Sequence, residues 1–175
     1  MYKRQVQLWL DSELGAKWRS GEFNVNVIKA LGVDQLLPKR VKKLSGGERQ
    51  AVSIAICLGR DADLYLLDEP SAHLDANARM EAAKAIRRTM EANEKTALVI
   101  DHDVYFIDIL SDSLMVFDGE GGKSGRATGP YPLRDGMNQF LDQVNITFRR
   151  DHDSKRPRIN KPDSRKDREQ QLSLI

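Results

Sequence analysis

Leu44-Ser45-Gly46-Gly47-Glu48-Arg49-Gln50, followed downstream by Leu64-Tyr65-Leu66-Leu67-Asp68-Glu69-Pro70, is the part of this sequence that decides the fold. A serine and two glycines at the start of a helix expose a nest of backbone donors suited to a terminal phosphate, and the glycines let the backbone approach it closely. The same letters would serve an ordinary serine-capped helix. The second string separates the two readings: a short apolar run reads as a buried parallel strand, and it delivers two carboxylates at its C-terminal end. Metal-assisted phosphoryl transfer needs one carboxylate for Mg²⁺ and a neighbour to orient or deprotonate the attacking water. Adjacent residues at a strand end diverge, so Asp68 and Glu69 can take those different roles.

Outward from this pair the same syntax repeats. Thr96 to Ile100 reads as a second buried strand ending at Asp101-His102, and Ala83, Ile86 and Met90 share one face of the intervening helix. Strand, helix, strand predicts a right-handed crossover. A helix around Tyr105–Leu110 and a strand over Leu114–Phe117 are expected to extend an α/β sheet whose ligand site lies at the carboxyl ends of its strands. Upstream, Val6, Leu10, Leu14 and Trp18 recur every four residues as one helical face, a second helix spans Val25–Leu31 and closes at Gly32, and Gly59 is expected to cap a helix over Gly47–Leu58. Downstream, Gly119–Gly129 reads as a polar turn, Leu133–Leu141 as a helix, and Val144, Ile146 and Phe148 as an alternating strand. There are no internal repeats and no sustained heptads.

With 175 residues, 40% hydrophobic and 31% charged, the chain reads as a globular domain with a sizeable core. A net charge of +2 excludes a uniformly anion-binding surface, so any nucleic-acid contact must come from a local cluster. The single cysteine, Cys57, excludes a disulfide framework, a zinc site or an iron–sulfur cluster held within these residues, and reads as a small buried hydrophobe. No stretch approaches the ~18 apolar residues of a membrane span, and the first residues lack the apolar core of a signal peptide, so a cytoplasmic protein is expected.

LSGGERQ, LYLLDEP, SAHLD and Asp101-His102 stand in the order of the signature, Walker B, D-loop and switch histidine of ABC-type ATPases, and the chain resembles that family. The resemblance implies a P-loop NTPase fold in part: a helical subdomain over residues 6–60, the C-terminal half of the parallel-sheet core over 61–148, and a basic tail over 149–175. It implies ATP and Mg²⁺ as cofactors, with Asp68 supporting the metal, Glu69 as catalytic base, His102 as the switch on the γ-phosphate and Asp75 at the dimer interface. Ser45, Gly46 and Gly47 would touch ATP bound by a partner domain. His73 reads as an interface or packing residue and receives no chemistry. A phosphate-binding loop of the form G-x-x-x-x-G-K-[ST] is absent; Gly121-Gly122-Lys123-Ser124 imitates its end, but Phe117 stands where the first glycine should be. The chain alone is therefore expected to be inactive as an ATPase, with that loop and the Q-loop glutamine lying upstream.

Within the ABC proteins, Cys57-Leu58-Gly59, the Ser71-Ala72 pair and the strings Ile146–Asp151 and Arg156–Lys161 resemble the ribosome-recycling (RNase L inhibitor, subfamily E) family, in an archaeal-like form. That resemblance runs from about Val6 to Asp167 and implies the second nucleotide-binding domain of a longer protein that couples ATP to ribosome splitting. Its implied partners are the first ABC domain of the same chain, the small ribosomal subunit and its rRNA, and termination or rescue factors, with no membrane. Iron–sulfur clusters would belong only to an N-terminal domain outside these residues. A transporter ATPase subunit and a DNA-repair or chromosome-maintenance ATPase are the alternatives. Residues 149–168 hold nine Lys/Arg against four Asp, a local charge of +5, and Arg149, Arg150, Arg156, Arg158 and Lys161 would pack between domains or face RNA. Met1-Tyr2-Lys3-Arg4-Gln5 matches the translated read-through of a common transposon sequencing adapter, so a truncated reading frame is expected.

Overall fold

The computed structural model describes residues 5–143, 148–150, 157–161 and 163–173. Two compact units divide the chain, Met1–Leu110 and Ser111–Ile175.

In the first unit, α1 (Val6–Leu14) buries Val6 and Leu10. It ends four residues before Trp18, because Gly15 turns the backbone to a φ of 57°. Trp18 is still buried, but from a 3₁₀ turn over Lys17–Arg19, with its indole Nε1 donating to Asp11 at 2.9 Å. The short helix α2 (Gly21–Phe23) runs directly into a π-helical segment, Asn24–Lys29, and Gly32 closes this region in the left-handed conformation, at φ 67°. The long helix α3 (Gly46–Gly59) carries the centre of the core through Val52, Ala55 and Leu58. Gly59 is not the expected left-handed cap. It lies inside the helix, where a Cβ would stand 2.5 Å from Leu14 Cδ1, so close packing and not chain reversal requires the glycine.

Strand β1 (Leu64–Asp68) and strand β2 (Thr96–Ile100) pair in parallel, in register from Leu64↔Thr96 to Asp68↔Ile100. Helix α4 (Ala76–Asn93) makes the crossover, with Ala83 and Ile86 buried and Met90 packed against the core. Helix α5 (Val104–Leu110) follows and buries Phe106. The expectation of strands buried on both faces is not met. Tyr65 and Leu67 enter the core, whereas Leu66 is 66% and Ile100 58% exposed, because the two-residue period sends alternate side chains to an uncovered face.

The second unit departs further from expectation. Strand β3 (Ser113–Glu120) does not extend the parallel sheet; it pairs antiparallel with β4 (Ser124–Pro132). Most of Gly119–Gly129 is therefore strand, and the turn is confined to Gly121–Lys123. A Cβ on Gly119, whose φ is 147°, would lie 2.2 Å from Ser124 O, which ties glycine to the close approach of the two strands. Helix α6 (Leu133–Gln143) buries Met137 and Leu141 as its periodicity predicts. Strands β5 (Phe148–Arg150) and β6 (Pro157–Ile159) form an antiparallel pair, and α7 (Arg165–Ser173) follows. Val144 and Ile146, expected in the same strand as Phe148, lie outside the described residues, as do Met1–Arg4.

Candidate functional site

The last residue of β1 and the first of the loop leaving it place Asp68 and Glu69 at the carboxyl edge of the sheet. The Glu69 backbone N–H donates to Ile100 O at 2.8 Å, which continues the ladder by one bond and then lets the chain turn away at a φ of 44°. A positive φ at a residue other than glycine persists only where the surroundings impose it. The turn leaves the Glu69 side chain in the open and brings Oε1 to 3.7 Å from Nδ1 of His102, which stands in the loop after β2. Asp68, opposite Ile100 in the register, is also exposed, and no hydrogen bond to its side chain occurs among the described residues.

The loop after β2 is organised by Asp101. Its carboxylate accepts from Ser71 N (3.0 Å) and Ser71 Oγ (2.8 Å), and from the backbone N–H groups of His102 (2.8 Å) and Asp103 (2.9 Å). One side chain thus ties the loop bearing Glu69 to the loop bearing His102. Asp103 accepts from Phe106 N at 2.9 Å, capping α5, and pairs with Arg79 of α4 at 2.6 Å.

At the N-terminus of α3, Ser45 and Glu48 form a reciprocal cap: Ser45 Oγ accepts from Glu48 N at 3.2 Å, and Glu48 Oε2 accepts from Ser45 N at 2.9 Å. Lys39 Nζ, 2.7 Å from Glu48 Oε1, and the Ser45 amide hold the Glu48 carboxyl below the ordinary glutamate range. A cavity of about 560 Å³ opens beside this turn, lined by Ser45, Gly46, Gly47, His73 and Asp75 among others. Asp75 caps α4 by accepting from Ala78 N at 2.9 Å. Two residues before it stands His73, at a φ of 62°. A Cβ on Gly47 would lie 2.7 Å from His73 O, and one on Gly46 3.2 Å from His73 Cγ. Packing against the His73 backbone therefore requires glycine at position 47, independently of any ligand, while Gly46 makes a tight contact with the His73 side chain.

These groups fit the implied cofactors. The amides of Gly46 and Gly47, in the first turn of a long helix, open next to a cavity and suit a phosphate. Among the described residues no group of three acidic, His or Cys side chains could hold a metal by itself. The exposed Asp68 carboxylate at the end of β1 suits Mg²⁺, which usually takes one or two carboxylates and completes its shell with nucleotide phosphates and water.

The structure brings together two groups of sequence-predicted residues: Asp68, Glu69 and His102 at the ends of β1 and β2, and Ser45, Gly46, Gly47 and Asp75 around the cavity. Sequence reading missed the hub role of Asp101 and the contacts of Gln50, whereas His73, read as an interface or packing residue, packs on the glycines. For Asp101 and Gln50 the only sequence signal was position, next to residues already singled out. In the tail, backbone pairing of Arg149 with Arg158 joins the two basic strings, Lys161 is exposed, and Ile146, Arg156 and Pro162 lie outside the described residues. Cys57 is partly buried, which pushes its thiol up.

A glycine-led capped helix, a parallel strand ending in two acids and a histidine at the next strand end define the ABC-type ATPase fold of the P-loop NTPase class. The ABC transporter family model matches residues 5–72. The chain is 47% identical over 152 residues to ABC transporter E family member 1 of Arabidopsis thaliana, covering 87% of the chain and 25% of that protein. It is 46% identical to translation initiation factor RLI1 of Saccharomyces cerevisiae, with the same coverages. The structure of the archaeal ribosome recycling factor aABCE1, in complex with the ribosomal stalk protein aP1, superposes at a TM-score of 0.93 with 52% identity, covering 99% of this chain and 34% of that one. The chain thus spans about a quarter of the length of the curated relatives it matches. Among the described residues no helix is long and apolar enough to cross a membrane.

Proposed function

We propose that this chain is the C-terminal part of the second nucleotide-binding domain of a cytoplasmic ribosome-recycling ABC protein of the RNase L inhibitor family, in which ATP binding and hydrolysis drive ribosome splitting. The observation that carries this reading is the superposition of 99% of the chain on an archaeal ribosome recycling factor at 52% identity. The long relatives named for the E family and for translation point the same way and away from a transporter or DNA-repair ATPase. In this reading residues 6–60 are the helical subdomain, 61–148 the ATPase core and 149–175 a basic hinge.

Bound Mg-ATP supplies the γ-phosphoryl group and a metal that neutralises charge on the phosphate oxygens. The residues of this chain bind and orient. Asp68 would hold the metal through its carboxylate, and Glu69 Oε would take a proton from the attacking water. His102, beside Glu69, would meet the γ-phosphate, while the Gly46 and Gly47 amides, the Ser45 hydroxyl and the Asp75 turn would meet nucleotide held by the first ABC domain. Partners beyond that domain are the small ribosomal subunit with its rRNA and termination or rescue factors; the structural neighbour carrying Pelota on the ribosome is consistent with the last. Positioning supplies most of phosphoryl-transfer catalysis, so these residues without a phosphate-binding loop hold no substrate between Asp68 and Glu69.

The test uses two preparations. The 175-residue chain is expected to release no phosphate from Mg-ATP. The full-length protein is expected to convert ribosomes into subunits on a sucrose gradient in an ATP-dependent manner. Turnover by the chain that Glu69→Gln abolishes would overturn the first expectation, and intact ribosomes at saturating protein the second.

A further inference from the structure

Gly46, Gly47 and Gln50 stand four and three residues apart on α3, so they share one side of the helix. All three meet the loop Glu69–Leu74. The glycines lie under His73, and Gln50 Nε2 donates to Glu69 O at 3.2 Å and to Pro70 O at 3.3 Å. The loop is held where its backbone is least relaxed, with left-handed φ values at Glu69 and His73. Glu69 is gripped from both sides: its N–H by Ile100 O of β2, and its carbonyl by Gln50 of α3. With both flanking peptides held, the direction in which the Glu69 side chain leaves the backbone is set, and its carboxylate lies 3.7 Å from His102.

We infer that Gln50 is a positioning residue for Glu69, and that through it the glycine-bearing turn of α3 and the general base of the same domain move as one piece. This rests on the proposed role of Glu69 and on contact between the α3 N-terminus and nucleotide held by another domain. Given those, the tether lets nucleotide at one composite site set the orientation of the base at the other, because a shift of α3 pulls on the Glu69–Pro70 peptides. Two bonds from a single amide nitrogen, both above 3 Å, are individually weak. They suit a device that orients a loop and not one on which folding depends.

The experiment measures single-turnover hydrolysis at the second site of the full-length protein, together with equilibrium ATP affinity. Gln50→Met keeps the length of the side chain and removes the donor; Gln50→Lys restores a donor of similar reach. Gln50→Met is expected to slow hydrolysis about tenfold, the loss typical of a net hydrogen bond, with affinity within about twofold of wild type. Gln50→Lys is expected to recover most of the rate, and Gln50→Met added to Glu69→Gln to cause no further loss. A wild-type rate in Gln50→Met, a loss that Gln50→Lys does not repair, or additive losses in the double variant would each overturn the tether. Failure of Glu69→Gln itself to slow hydrolysis would instead remove the reading on which the tether rests.

Discussion

The loops after β1 and β2 both end a parallel strand in acids, and they use those acids in opposite ways. After β2, Asp101 accepts four hydrogen bonds and Asp103 closes a cap and an ion pair. After β1, Asp68 and Glu69 project into the open, and the contact of Glu69 with His102 is 3.7 Å long. A carboxylate offers about four lone-pair sites. Asp101 directs its oxygens to neighbouring donors, three on Oδ1 and one on Oδ2, and so holds the two loops in place, whereas Asp68 and Glu69 are left open to a metal, a water or a proton. Open and hydrogen-bonded carboxylates are thus separated by the course of the backbone around them and not by residue type.

The sharpest way to break this contrast is to neutralise one acid from each loop. In the full-length protein, Glu69→Gln is expected to slow single-turnover hydrolysis by ~10²–10⁴-fold, with ATP affinity and melting temperature near wild type. His102→Ala should slow the same step while leaving the base in place. Asp101→Ala is expected to do the reverse of Glu69→Gln in kind: removing the shared acceptor of Ser71, His102 and Asp103 should lower stability by about 2 kcal/mol, read as a reduced urea midpoint. An unchanged midpoint would place Asp101 with the open acids and dissolve the contrast.

The smallest effect belongs to a third acid, Glu48. Its carboxyl is lower in the folded chain than the ordinary 4.5 because Lys39 and the Ser45 amide favour the charged form. The unfolded state therefore binds more protons near that pH, so the contribution is present above about pH 4.5 and fades as pH falls through the folded value. The pair is partly exposed and screened, so Glu48→Gln should flatten the acid limb of stability by only a few tenths of a kcal/mol. A pH-titrated melt of wild type and variant measures it.

Much of the site is legible in the order of residues alone. Asp68 and Glu69 at a strand end, His102 at the next, and a helix beginning after Ser45 follow from local rules that the structure obeys. Gly59 misleads because glycine after an apolar helix usually ends it, and nothing local announces that Leu14 will press on that position. Leu114–Phe117 misleads for a related reason: an apolar strand does not name its partner, and β4 is concealed in a stretch rich in glycine.

The sequence by itself determined the order of elements from α3 to β3, the capped start of α3 and the placement of acids and histidine at strand ends, because periodicity and capping are decided within a few neighbouring residues. Only the tertiary structure decided which face of β1 and β2 stays uncovered, that Asp101 is hydrogen-bonded to Ser71 and to the backbone of its own loop while Glu69 is left open, and that Gln50 reaches the Glu69 carbonyl across nineteen positions of chain. Those outcomes depend on which distant segments meet, and a hydrogen bond or a close contact exists only once both partners have been brought within about 3 Å of each other.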